Sequence, residues 1–225
     1  MEHHYRVALT QVLRTRPMEA SHSRLVSGTN NRRNSNFAWV LFLVACQLTF
    51  DLGSVFAQSF TFAANAQHTA QSTAAAQRLN RVVWSTSVDQ YNTGAWAHYG
   101  APLVTHLNTV VVPVRQSNGV SFRLSVFEGP TGRLKYQLTN DWTLPTYSWV
   151  PTYQPTLADG PAGPRLYYPG AGGTIFYVEN PDSDTPGTPV RLCFYTSLSN
   201  YLANAISFNT RIYLNTPITA DTNGV

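Results

Sequence analysis

From Val82 onward, apolar and polar positions fall into short runs with the period of strands. Val82-Val83-Trp84-Ser85-Thr86-Ser87-Val88 is β-branched and aromatic, and Leu103-Val104 predicts a short strand. Thr109-Val110-Val111-Val112-Pro113-Val114 is almost continuously apolar, the pattern of a strand buried on both faces. Phe122 to Phe127 alternates with period two, and Leu134 to Leu138 does so again. Ser117-Asn118-Gly119 and Gly129-Pro130-Thr131-Gly132 separate these runs with turn chemistry. The pattern predicts four short strands in succession, closed by Asn140-Asp141.

A second unit repeats the first. Gln154-Pro155-Thr156-Leu157 echoes Ala101-Pro102-Leu103-Val104, and Arg165-Leu166-Tyr167-Tyr168-Pro169-Gly170 echoes the strand ending in Val112-Pro113-Val114. Gly172-Gly173 replaces the Asn-Gly turn, and Thr174–Val178 and Val190–Tyr195 supply the last two strands. Ala205 to Asn209 reads as the opening of a third unit, with a strand expected over Asn209–Leu214. The spacing of about 45 to 56 residues suits a four-stranded repeat. Ahead of these units, residues 58–81 form an Ala-, Gln-, Ser- and Thr-rich segment with a short helix expected near Thr73–Leu79.

The longest apolar run is Phe37 to Phe50, 14 residues. It is shorter than the ~20 a membrane-spanning helix needs. Arg32 and Arg33 precede it, and Val55 and Ala57 follow with small side chains. This is the layout of a secretory signal cleaved between Ala57 and Gln58, so residues 1–57 are read as a leader. Competing readings are a lipid on Cys46 in Leu43-Val44-Ala45-Cys46, a twin-arginine signal at Arg32-Arg33, and an uncleaved anchor. Thirty-six residues before the apolar core make a long leader, and Met18 is an alternative start to Met1. The expectation is an exported protein of the periplasm, the outer membrane periphery or the extracellular space, touching membrane only through the leader or the lipid.

Charge refines this picture. Residues 1–57 carry six arginines against Glu2, Glu19 and Asp51, so most of the net charge of +4 belongs to the leader. No basic stripe interleaved with aromatics follows, which argues against nucleic acid as a partner. A charged fraction of 12%, with 12 Tyr, 14 Gly and 14 Pro, favours strands and tight turns. Cys193 is alone once the leader is removed, and reads as a small buried hydrophobe.

The phrase Leu166-Tyr167-Tyr168-Pro169-Gly170-Ala171-Gly172-Gly173-Thr174-Ile175-Phe176-Tyr177 resembles the strand–glycine–strand core of quinoprotein-type (PQQ-like) β-propeller repeats. Val126 to Tyr136 is similar to the end of the same repeat, with Glu128 where the family shows Asp, Thr131-Gly132 kept, and Tyr136 where it shows Trp. The resemblance covers residues 82–225. It implies an all-β fold of consecutive four-stranded antiparallel blades, Gly132 in the left-handed region, and a disc of seven or eight blades of which about two and a half are present. On this reading the chain is a fragment or an unclosed variant that associates through its open blade edges; the rival is a different small sandwich. The family's cofactor chemistry, PQQ with calcium, is expected only if the chain belongs to a larger propeller.

Candidate chemistry is sparse. His98, His106 and His68 lack nearby carboxylates, and no G-x-S-x-G, H-E-x-x-H or C-x-x-C is present. Asn180, Asp182 and Asp184 place oxygen side chains at alternate positions like a calcium loop, yet Arg191 stands at the twelfth position, where Glu is needed. A solvated hairpin loop is the plainer reading. Trp84, Trp96, Trp142, Trp149, Tyr147 and Tyr153 are candidates to stack on a sugar or quinone, or to fill the core. The expected function is therefore a non-catalytic binding or scaffold domain in the cell envelope with a protein or glycan partner. The alternatives are the N-terminal part of a PQQ-dependent dehydrogenase and a carbohydrate-binding module.

Overall fold

The computed structural model describes residues 5–9, 61, 69–70, 81–89, 98–145, 152–160 and 162–220. The apolar run 37–50, Cys46, the Ala57–Gln58 junction, His68 and the helix expected at 73–79 lie outside them. No helix among the described residues is long and apolar enough to cross a membrane.

The described residues are mostly strand. β1 (Tyr5–Leu9) pairs antiparallel with β2 (Trp84–Asp89). After β3 (His98–Tyr99) comes a first sheet of β4 (Leu103–Val104), β5 (Thr109–Arg115), β6 (Ser121–Glu128) and β7 (Leu134–Thr143), antiparallel and in sequential order. After β8 (Thr152–Tyr153) comes a second such sheet of β9 (Thr156–Gly160), β10 (Gly163–Pro169), β11 (Ile175–Glu179) and β12 (Val190–Leu192). β3 and β8 pair in parallel, His98 opposite Thr152 and Tyr99 opposite Tyr153. Both predicted four-strand units are thus antiparallel meanders at the expected places.

The third unit is not. Leu198–Ala203 forms α1 and Ala205–Asn209 forms α2, and residues 210–214 contain no strand. Ser197 caps α1 by accepting from the Asn200 amide at 3.2 Å. Leu198, Leu202 and Ile206 recur every four residues, a helical spacing that the strand reading overlooked.

The turns explain why the meanders close. Gly119 has φ 72°, and Asn118 Oδ1 accepts from the Val120 and Ser121 amides at 3.1 and 3.0 Å. Gly132 also has φ 72°, the left-handed conformation expected of it. A Cβ there would sit 2.5 Å from Cδ2 of Trp84, whose Nε1 donates to the Gly129 carbonyl at 2.6 Å. The turn and the β2 tryptophan therefore fix each other. Pro113 is tolerated in β5 because β4 ends opposite Val111, so no partner on that edge requires its missing N–H.

The two sheets stack face to back. Directly opposite residues of an antiparallel ladder share a face. Leu103, Val111, Val126 and Tyr136 form one such row across the first sheet. All four pack in one core with Leu157, Leu166, Tyr168 and Val178 of the second sheet. The row of the second sheet equivalent to the first is Thr156, Tyr167, Tyr177 and Val190, which points the other way. Three sequence markers establish the equivalence: Pro102 with Pro155, Pro113 with Pro169, and Glu128 with Glu179. A two-fold sandwich would bury the same row from both sheets. Here one face of the first sheet meets the opposite face of the second.

The other face of the first sheet buries Val110, Val112, Val114 and Phe127 under Trp84. Trp84 and Phe127 have ring centroids 5.8 Å apart. β5 is therefore buried along its whole length, as its continuous apolar sequence predicts.

Equivalent positions have unequal exposure. Tyr136 and Leu138 are 8% and 3% exposed, whereas Val190 and Leu192, which take their places in the second sheet, are each 40% exposed. Leu138→Ala is expected to cost about 2–5 kcal/mol. Leu192→Ala should cost less than about 1 kcal/mol, as at other sites outside a packed core. Urea unfolding of the two variants checks this; equal losses would contradict the stacking described.

Candidate functional site

Three polar features stand out, and each is built where a sheet face or turn meets a neighbour. The first is a cleft of about 240 Å³ between β2 and the first sheet. Its walls carry Arg115, Arg123, Ser125 and Gln137, with Val114 and Phe127 beneath and Thr86 on the β2 side. Arg123, Ser125 and Phe127 occupy alternate positions of β6, so they share the face opposite Phe122, Leu124 and Val126. Gln137 stands directly opposite Ser125 on β7, its Nε2 3.4 Å from Ser125 Oγ. Arg115 is 2% exposed, and its Nε donates to the Gly119 carbonyl at 2.7 Å. The described lining holds no acidic side chain.

The second feature is the loop from Asn180 to Asp184, the sequence's calcium-loop candidate. Asn180 has φ 47°. Thr105 Oγ1 donates to Asp182 Oδ1 at 2.5 Å, Lys135 Nζ to the Asp182 carbonyl at 2.6 Å, and Tyr136 OH to the Pro181 carbonyl at 2.6 Å. Asp184 lies 3.2 Å from Arg133 and 3.7 Å from Lys135. The loop's oxygens thus meet cations and donors of the first sheet, and the segment latches one sheet to the other. Burial raises the Tyr136 phenol well above its usual range, which keeps it a donor. No group of three or more His, Cys, Asp or Glu suited to a metal occurs among the described residues.

The third is a knot around the tight turn Ala171–Gly173, where Gly172 and Gly173 have φ 63° and 70°. Arg191 donates to Asp141 Oδ2 at 2.5 Å, to Thr174 Oγ1 at 2.7 Å and to Tyr201 OH at 3.0 Å. Its guanidinium also lies over the Phe176 ring, 4.3 Å from the centroid. Asp141 Oδ1 accepts from the Ala171 amide at 3.0 Å. A Cβ on Gly172 would sit 2.7 Å from Cε2 of Tyr201, so the turn must be glycine for α1 to approach.

The other residues singled out in sequence scatter. Trp142 and Tyr153 are core residues, 1% and 0% exposed, with rings 5.2 Å apart, and Phe122 stacks on Tyr153 at 5.0 Å. They offer no platform for a sugar or quinone. Trp84 is half-buried against Gly132, and Trp96, Tyr147 and Trp149 lie outside the described residues. His106 is exposed between β4 and β5, and His98 belongs to β3. Cys193 is a half-buried free thiol. The cleft arginines were not singled out in sequence. The usable signal was the alternation in β6, which assigns Arg123 and Ser125 to one face.

No known protein family, no curated protein and no solved structure matches the chain. The site therefore has to be argued from its own geometry.

Burial, followed by the neighbouring Cys193, raises the Tyr195 phenol from the usual 10.0 to about 12. The phenol donates to the Gly172 carbonyl at 2.5 Å. A folded-state value above the unfolded one contributes stability that is complete below the unfolded value and is lost as pH rises through the folded one. Stability is thus expected to decline from about pH 10 to about 12, with a shallower decline in Tyr195→Phe. Urea midpoints measured across that range check it.

Proposed function

We propose that the chain is an exported, propeller-like repeat domain with a binding or scaffold role in the cell envelope. The face-to-back stacking of two equivalent four-stranded sheets carries this reading. Sheets related in this way form an open-ended stack, in which each sheet's forward face receives the next one. In the first sheet that face is filled. In the second, Val190 and Leu192 remain exposed on it, and Phe194, Leu198, Leu202 and Ile206 are further exposed apolar side chains that follow in the chain. Exposed apolar side chains in such number are typical of an association site.

The occupant proposed for it is a further sheet from a second copy of the chain. Sedimentation velocity from low to high micromolar concentration should show concentration-dependent association, abolished by Leu192→Asp. A single monomeric boundary throughout would sink the reading.

Export rests on the signal-like layout of residues 32–57. β1 lies inside the leader, so cleavage after Ala57 takes β1 away from β2. N-terminal sequencing of the protein recovered from the envelope fraction of producing cells is expected to begin at Gln58. An N-terminus that retains residues 5–9 would mean that the β1–β2 pairing persists and that the cleavage site is wrong.

A further inference from the structure

β1 and β2 form a two-stranded sheet, with Arg6 opposite Ser87, Val7 opposite Thr86, Ala8 opposite Ser85 and Leu9 opposite Trp84. The two strands are not fastened alike. β2 is tied to the first sheet through Trp84. Its Nε1 donates to the Gly129 carbonyl at 2.6 Å, its ring closes over Gly132, and its centroid lies 5.8 Å from that of Phe127. β2 therefore has a seat of its own beside the first sheet. β1 joins the fold through its ladder with β2, a strand of five residues. A two-stranded ribbon is marginal in water, and closing the long connection from Leu9 to Trp84 costs chain entropy. β1 is thus built to leave while β2 stays.

That connection carries the apolar run Phe37 to Phe50, with Arg32 and Arg33 ahead of it. A signal inserted through such a run keeps its arginines on the near side of the membrane and delivers the chain beyond the cleavage site to the far side. Residues 5–9 and 84–89 then stand on opposite sides of a hydrocarbon layer of roughly 30 Å. Paired strands lie only about 4.8 Å apart. The β1–β2 ladder and the fully translocated chain are therefore mutually exclusive states, and the ladder has to open before β2 can cross.

On the export reading given above, we propose that β1 is an intramolecular catch. Paired to β2, it holds the precursor on the near side of the membrane. Its release gates translocation, and cleavage after Ala57 then removes it for good. The occupant of the β2 edge before export is residues 5–9 of the same chain.

The test is pulse-chase labelling of the full chain in producing cells, read as the rate at which the N-terminus at Gln58 appears. Val7→Pro breaks the ladder at its middle from the leader side, and Thr86→Pro breaks it from the β2 side with the leader untouched. A ribbon formed about half the time withholds about half the precursor, so each variant should shorten the processing half-time about twofold. Combining the two should gain no more than either alone, the mark of one shared contact. Ser23→Pro, in the leader but outside β1, is expected to process like the parent chain. Should Thr86→Pro unfold the domain, Val7→Pro decides alone, since it leaves residues 58–225 as they are. Equal half-times in the parent and Val7→Pro would overturn the catch while export stands. A precursor that begins at Met18 would overturn it too, because it has no β1. Absence of processing in every variant would overturn export and catch together.

Discussion

Everything in this fold follows from the burial of β5 on both faces. A strand of valines with apolar side chains on either side cannot lie at a protein surface, because each exposed face would leave several β-branched groups in water. One face is covered by the second sheet through Leu157, Leu166 and Val178, the other by Trp84. The first sheet is therefore a middle layer, and its neighbours are selected by the need to cover it. The unequal width of those covers is what leaves a packed interface on one side and a cleft on the other.

Apolar packing does not define a unique register between two sheets, since methyl groups slide past one another at little cost. The polar crosslinks supply that definition. Gln154 is wholly buried and reads the backbone at Ala101, accepting from its amide at 2.6 Å and donating to its carbonyl at 3.3 Å. Gly100 allows this approach, since a Cβ there would meet the Gln154 backbone at 2.9 Å. Arg191 reaches from the second sheet to Asp141 at the end of the first, and the Asn180–Asp184 loop grips Lys135 and Tyr136. A buried polar group that finds its partner in only one arrangement penalises every other arrangement.

Much of this was legible in sequence, for reasons that can be named. The β5 run, the alternation in β6 and the Asn118-Gly119 and Gly132 turns are local signals, and the structure obeys them. The second meander was legible because its glycines and prolines repeat those of the first. The helices at 198–209 were not legible because they are short and Ala205 to Asn209 also fits the opening of the four-strand repeat. The cleft was illegible for a different reason. Arg115, Arg123 and Gln137 come from three strands, so no local pattern in the sequence brings them together. The calcium-like spacing of Asn180, Asp182 and Asp184 was real, but the Lys135 and Arg133 cations that engage it lie some fifty residues away in the chain.

The sequential strand order also sets the order in which the molecule can assemble. Within each meander, paired strands are joined by short turns, so closing each hairpin costs little chain entropy. The contacts that join the meanders are of another kind: Ala101 to Gln154 and Asp141 to Arg191 each span about fifty residues. The hairpins β5–β6 and β10–β11 are thus the units whose closure costs least chain entropy, and docking the two meanders costs more. During translation the first meander emerges complete before the second, and its Leu103–Val111–Val126 face stays wet until β9 to β11 leave the ribosome.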